Sequence, residues 1–470
     1  MEAVHIDEIR KIEAAAHNKS TEGLKREIGT WGIFLNVINN TIGSGIFLLP
    51  AIIAGFLGPA SILVYIGCGI LFLLVMLCYA EISSQVSSSG GTYVYIEEAF
   101  GPYAGFLANT IFWFGTGVFV MAALVNGMAD ILSVAFPVFA NPGFRAAAFF
   151  VLIAFCAGLN IRGVKQGMAL IKFITIIKLV PVLLLVIVGL FQLNTANLRI
   201  ETMPSLRDFG AVSLILFFTF AGGESVLNIS GEMKNPRRTA PLGLLFGLLA
   251  TILIFCAIQL VAQSTLGASL ANYKEAPLAE VAIRLFGPWA HKIIIAASLI
   301  AIAGILASLP LVFSRVMFAG AKNNLLPAIL GKVHPRYATP ANAIIAFSAI
   351  AWLVAISGGF RQLAIIVSAS LLLLYTAVVL ATIKFRFKPA ATLAGFRIPG
   401  GLTVHIAALV ALGWFIVQLE QKELLGTAIF VGGLSIIYAI RLWRQKAIRA
   451  AALAADGKTL LVKNNPVAEG

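Results

Sequence analysis

The sequence predicts an all-α membrane protein with 12 transmembrane helices, and three observations carry that prediction. Hydrophobic residues make up 60% of the 470-residue chain and charged residues only 11%, where globular proteins average about 25% charged. The apolar residues come in long runs, and about 20 residues of helix cross roughly 30 Å of hydrocarbon. The basic residues fall mostly in tails and in the connections between those runs. With no water in the bilayer core the backbone must satisfy its own hydrogen bonds, so only helices or a closed barrel can span it. Runs this long and this rich in Leu, Ile and Ala do not alternate as barrel strands do.

The chain opens on a polar tail, 1–30. Met1 to Arg26 carries charges of both signs and lacks the basic start and apolar core of a signal peptide. Spans are expected at 31–58, 61–83, 104–136, 144–160, 167–192, 209–231, 241–266, 291–319, 341–357, 362–383, 400–418 and 424–441. They divide the chain into a five-helix unit at 31–192, a second at 209–383, two additional helices at 400–441 and a tail at 442–470. In that tail, Arg441 to Lys446 is expected at the inner lipid surface, where basic side chains meet anionic headgroups, and Ala450 to Gly470 is expected to be flexible. Cys68, Cys78, Cys156 and Cys256 all lie in apolar runs and read as small buried hydrophobes, not as a disulfide framework.

An even number of spans puts both termini on one side, and the charges choose the side. With cytoplasmic termini the inside segments hold 25 Lys/Arg and the outside segments 8, with Lys178 left inside a span. A cytoplasmic excess of basic residues orients membrane proteins. The same distribution accounts for the net charge of +14 and argues against a nucleic-acid partner; the partner expected is the lipid bilayer.

Two spans are interrupted near mid-depth. The first contains Asn39-Asn40-Thr41-Ile42-Gly43-Ser44-Gly45, and the sixth contains Phe218-Thr219-Phe220-Ala221-Gly222-Gly223-Glu224. The breaks lie five spans apart, and paired Gly-interrupted helices at corresponding places mark the binding site in transporters built from inverted repeats. An unwound stretch leaves N–H and C=O groups without helical partners. Freed N–H groups at a half-helix N-terminus suit a carboxylate, and freed carbonyls suit an ammonium. Together they fit the zwitterionic head of an amino acid. Glycine in a membrane span is more often a packing contact; two breaks at matching positions favour the binding reading. The repeat is inferred from position, since the halves share no evident identity.

These residues resemble the amino acid–polyamine–organocation superfamily. Thr41-Ile42-Gly43-Ser44-Gly45-Ile46-Phe47-Leu48-Leu49-Pro50 is similar to its first-helix signature, and Tyr79-Ala80-Glu81-Ile82 with Gly90-Gly91-Thr92-Tyr93 is similar to its second helix and first loop. Gly222-Gly223-Glu224-Ser225 and the Gly231-Glu232-Met233-Lys234-Asn235-Pro236 that follows resemble its sixth helix. The resemblance implies a leucine-transporter-type fold, a 5+5 inverted repeat plus two helices. It implies a substrate site between the first, third, sixth, eighth and tenth helices. By that likeness Ile42, Gly43, Ser44 and Gly45 hold the carboxylate, and Phe218, Phe220, Ala221 and Gly222 line the ammonium and side-chain region. Phe218 stands where an arginine–agmatine antiporter places a tryptophan gate. The implied activity is secondary active transport of amino acids, neutral ones first, by alternating access in a cell membrane. The alternatives are a cationic amino acid or polyamine antiporter and, from another class, a channel.

An ionisable side chain inside a span is costly and reads first as functional. Glu224 directly follows the sixth-helix break, where relatives tie a glutamate to proton sensing; the plainer reading is an N-terminal cap of the second half-helix. Lys178 lies where some relatives set a lysine beside the first break, in the place sodium occupies in sodium-coupled cousins; the plainer reading is snorkelling. Glu81 is expected to order a loop, Asp130 to be solvated at an interface, Arg315 and Lys322 to face the cytoplasm, and Ser308 and Ser314 to pack in the eighth helix. An enzyme is not expected. The chain has no phosphate-cradling G-x-x-x-x-G-K-[ST] and no G-x-S-x-G. Its histidines, His5, His17, His291, His334 and His405, have no metal-ligand spacing. No cofactor is expected, with coupling, if any, to protons. A channel would need a filter or charged ring, and none is evident.

Overall fold

A computed structural model describes residues 28–86, 91–163, 168–201, 203–322, 326–387 and 396–463. The polar tail predicted at 1–30 lies almost wholly outside the described residues, as do 464–470. Among the described residues every long element is helical; the sole β-type pairing is an isolated bridge between Ile28 and Met233. It is closed by the Lys234 amide on the Ile28 carbonyl at 3.0 Å.

The helices run α1 Thr30–Thr41, α2 Gly45–Leu57, α3 Ser61–Gln85, α4 Thr92–Phe100, α5 Pro102–Thr110, α6 Phe119–Ser133, α7 Pro142–Ile161 and α8 Met168–Phe191. They continue α9 Leu206–Phe220, α10 Pro236–Leu266, α11 Pro277–Phe286, α12 Trp289–Lys322, α13 Ala341–Ala355, α14 Phe360–Arg386, α15 Thr403–Val417 and α16 Gln421–Lys463. A π-helical stretch, Ile111–Val118, joins α5 to α6. Among the described residues 8 helical stretches are long and apolar enough to cross a membrane, and Ile176–Phe191, Ala341–Ala355 and Thr403–Val417 are shorter apolar helices. Helices cover each of the predicted spans, while α4 and α11 lie between them, in stretches where no helix was predicted. The last departs from them: α16 stays helical to Lys463, so most of the tail expected to be flexible continues the helix.

Local chemistry sets the boundaries. Asn141 caps α7, its Oδ1 accepting from the Gly143 and Phe144 amides at 2.8 and 3.1 Å, with Pro142 in the first turn. Ser205 caps α9 through the Asp208 amide. The outward faces are apolar, with Phe150, Val151 and Phe155 exposed on α7 and Ile429, Ile436 and Ile437 on α16, as a surface bathed in lipid requires.

Buried amides join the helices that flank the centre. The Asn126 amide group reaches from α6 to the Ala355 carbonyl at 2.9 Å, and that of Asn160 from α7 to the Ala307 carbonyl at 2.8 Å. Interhelical bonds of this kind stabilise membrane bundles where burial in lipid offers no hydrophobic gain. Asp130, expected to be solvated at an interface, keeps part of its side chain exposed and is paired with Arg145 at 2.5 Å.

Glu81 does organise a connection, and does so by a buried cluster. Its carboxylate accepts from Arg386 Nε and Nη2, both at 2.6 Å, and from the Ile398 amide at 3.0 Å, with His405 Nε2 3.7 Å away. Arg386 also donates to the Ile398 and Gly401 carbonyls. The cluster fastens α3 and α14 to the chain leading into α15. Removing one partner strands a buried charge, at a cost of about 3–5 kcal/mol. Arg386→Ala is expected to destabilise the protein by about 3 kcal/mol, near the low end because the arginine keeps some exposure. Thermal unfolding in detergent checks this, and an unchanged midpoint would refute it.

Candidate functional site

Both predicted breaks are present. α1 ends at Thr41, Ile42 turns extended with φ −78° and ψ 93°, and α2 restarts at Gly45. α9 ends at Phe220, and Ala221 turns extended with φ −67° and ψ 153°. Gly222 follows at φ 110°, and a 3-10 stretch, Gly223–Glu232, carries the chain onward. An L side chain rarely adopts the Gly222 conformation.

The breaks touch each other. A β-carbon on Gly222 would lie 2.8 Å from the Asn40 carbonyl oxygen, and one on Gly45 would lie 2.3 Å from Thr219 Oγ1. Asn40 Nδ2 donates to Ser225 Oγ at 3.0 Å, and Ser225 Oγ donates to the Gly222 carbonyl at 2.5 Å. Two glycines therefore let the backbone of each interrupted helix come within contact of the other.

A cavity of about 120 Å³ opens where they meet. Gly43, Ser44, Gly45, Phe218, Ala221, Gly222 and Glu224 all line it. Two of the residues predicted to bind substrate do not. Ile42 is fully buried beside it. Phe220 points to the opposite side of α9, against Phe72 and Phe255 with ring centroids 5.8 and 5.1 Å away. At about 100° per residue, side chains two apart on a helix point about 200° from one another, so the likeness that put Phe218 and Phe220 on one wall was too coarse.

Glu224 accepts the Gly222 amide at 3.0 Å through Oε2, which satisfies the break from within while the residue borders the cavity. Lys178 is fully buried, and its Nζ donates to the Asn39 and Ile42 carbonyls at 2.6 and 3.0 Å. It does not line the cavity. It holds the C-terminal end of α1, where carbonyls lack helical partners and carry partial negative charge, so snorkelling is ruled out by its position.

The sequence reading assigned no third-helix residue to the site and took Ser308 and Ser314 of the eighth helix as packing residues. Phe112, Thr116, Val120 and Leu124 line the cavity from one side, and Ile305, Ser308 and Phe313 from the other. Leu124 and Ile305 flank Gly43, whereas Phe313 packs on Gly117 and Phe112. From Leu124 back to Thr116 is two turns, about 12 Å at ~1.5 Å per residue, so the cavity extends from the breaks along these helices. The signal available was the Gly115-Thr116-Gly117 step inside the π stretch, a form of helix frequent at functional sites. Among the described residues the hydroxyls of Ser44, Thr116 and Thr219 have no hydrogen-bond partner.

Residues 28–434 match the amino acid permease family. The chain belongs to that family. This permease is 31% identical over 330 residues to the serine/threonine exchanger SteT of Bacillus subtilis, covering 68% of the chain and 74% of that protein. It is 27% identical to the methylthioribose transporter of the same organism, over 91% of the chain and 96% of that protein. It is 26% identical to the branched-chain amino acid permease BcaP, over 89% of the chain and 94% of that protein. These relatives are permeases and transporters, not enzymes. The permease is thus a multi-pass membrane transport protein of the amino acid–polyamine–organocation superfamily.

Proposed function

We propose that this permease is a secondary active transporter of neutral amino acids working by alternating access. The observation that carries the reading is the contact between the two breaks around one cavity. It sets the open N–H groups at the start of α2 within reach of a carboxylate, and the extended backbone at Ala221 and Gly222 within reach of an ammonium. The side-chain end is lined by Phe112, Phe218, Ile305 and Phe313 with hydroxyls from Thr116 and Ser308. Among the described lining residues Glu224 is the one carboxylate, and it is engaged by the Gly222 amide. Among the described lining residues no further acid is left to meet a cationic side chain, which favours neutral cargo. The names of SteT and BcaP, a serine/threonine exchanger and a branched-chain permease, agree with that choice.

The rest of the reading follows the family layout. The helices form a 5+5 inverted repeat plus two, both termini are cytoplasmic, and the protein resides in the cell membrane. Glu224 and Lys178 couple proton movement to conformation. The Glu224 carboxylate at the cavity keeps a second reading in view, a cationic amino acid or polyamine antiporter. A channel is separated from both by counterflow, because only a carrier shows saturable exchange.

In proteoliposomes, uptake of labelled alanine is expected to be inhibited by unlabelled alanine and leucine and little affected by arginine or putrescine. Dominant inhibition by arginine and putrescine would replace the first reading with the second.

A further inference from the structure

Thr219 sits on the last turn of α9, the helix that ends in the second break, yet its hydroxyl lies against the first. A β-carbon added to Gly45 would fall 2.3 Å from Thr219 Oγ1 and 2.9 Å from its Cβ. The side chain thus rests on the opening residue of α2, where the first four N–H groups of a helix lack intrahelical acceptors. Thr219 is 3% exposed, borders the cavity, and its hydroxyl has no partner among the described residues. Ser44, the residue before α2, makes no side-chain cap and has an equally unpartnered hydroxyl. A threonine within a helix ordinarily ties its hydroxyl to the carbonyl four residues back, as Thr41 and Thr110 do here. Thr219 forgoes that bond, and burying a hydroxyl without a partner is costly.

We infer that Thr219 is a carboxylate-positioning residue: its hydroxyl donates to the substrate carboxylate beside the N–H groups of α2. The sixth helix then contributes to the anionic end as well as to the ammonium end. Loading the carboxylate bonds α9 to α2 through the substrate, adding a substrate-dependent link to the Asn40–Ser225 bond that already joins the two interrupted helices. The inference rests on the amino acid reading above, and it specifies that the substrate must carry a free carboxylate.

Three forms of the protein test it: wild type, Thr219→Val and Thr219→Ser. Valine keeps the shape and loses the hydroxyl, whereas serine keeps the hydroxyl and loses the methyl. The Thr219→Val protein is expected to raise the alanine KM about tenfold with a much smaller change in kcat, and Thr219→Ser to stay close to wild type. Wild type is expected to prefer alanine to alaninamide as a competitor by at least about tenfold, and Thr219→Val to lose about tenfold of that preference. The reverse pattern, with valine tolerated and serine not, would make Thr219 a packing residue and overturn the inference. So would equal loss of alanine and alaninamide, or no preference for alanine over alaninamide in wild type, a result that stands even if the valine protein does not insert. Failure of alanine and leucine to compete in wild type would instead remove the neutral amino acid reading, and this inference with it.

Discussion

Gly222→Ala is expected to abolish uptake, lowering it by at least about a hundredfold, while the protein still inserts and remains monodisperse. Two costs combine. The backbone at φ 110° is strained for any L side chain, a penalty of about 1–3 kcal/mol. The added methyl would also lie 2.8 Å from the Asn40 carbonyl oxygen, so one break must move away from the other. Backbone atoms are on the receiving side of that overlap, and no rotamer change relieves it. A shift of a few tenths of an ångström is enough to spoil a site made of peptide groups. Gly433→Ala serves as the control, because a β-carbon there meets nothing within 4 Å; its uptake is expected to match wild type. Initial rates of alanine uptake with both variants check the prediction. Wild-type affinity in Gly222→Ala would mean that substrate binds elsewhere.

Lys178→Met is the second substitution with a large expected effect. Methionine retains most of the buried volume but removes the donor that serves the Asn39 and Ile42 carbonyls. A buried acceptor that loses its donor costs about 1–3 kcal/mol, and two are affected at the end of α1. The first break should loosen, and apparent affinity is expected to fall by at least about tenfold. Uptake compared at acid and neutral pH reads the second consequence. Wild type is expected to respond to pH and Lys178→Met to respond much less, since a neutral side chain leaves no ammonium to exchange a proton there. A wild-type pH response in the methionine variant would remove Lys178 from coupling and leave it a structural cap. Loss of affinity with the pH response intact would divide the two roles.

The positions of the breaks were legible because local chemistry creates them. Gly43, Gly45 and Gly222 sit among Asn40, Thr41, Ser44 and Glu224 in otherwise apolar runs, and a polar, glycine-softened step inside a span has few other uses. Glu224 and Lys178 were legible for the same reason, as charges where charge is expensive. The direction in which each side chain points was less accessible. Phe218 and Phe220 are chemically identical, and only the orientation of α9 sends the first to the cavity and the second to Phe255. Ile42 carries a break residue's backbone but buries its side chain away from the cavity.

By itself, then, the sequence determined the run of apolar helices, their approximate ends, the two interruptions and the chemistry of a zwitterion site. All of these follow from short stretches of chain meeting lipid or losing helical hydrogen bonds. Tertiary structure alone decided which distant residues complete the site. It brought Thr219 onto Gly45, gathered Thr116 and Phe313 onto one cavity, put Arg386 on Glu81, and set Lys178 against the carbonyls of α1. The physical reason is that packing between helices far apart in the chain depends on their relative rotation and depth, and a Thr or Phe on an apolar helix looks the same whether it faces a substrate, a neighbouring helix or lipid.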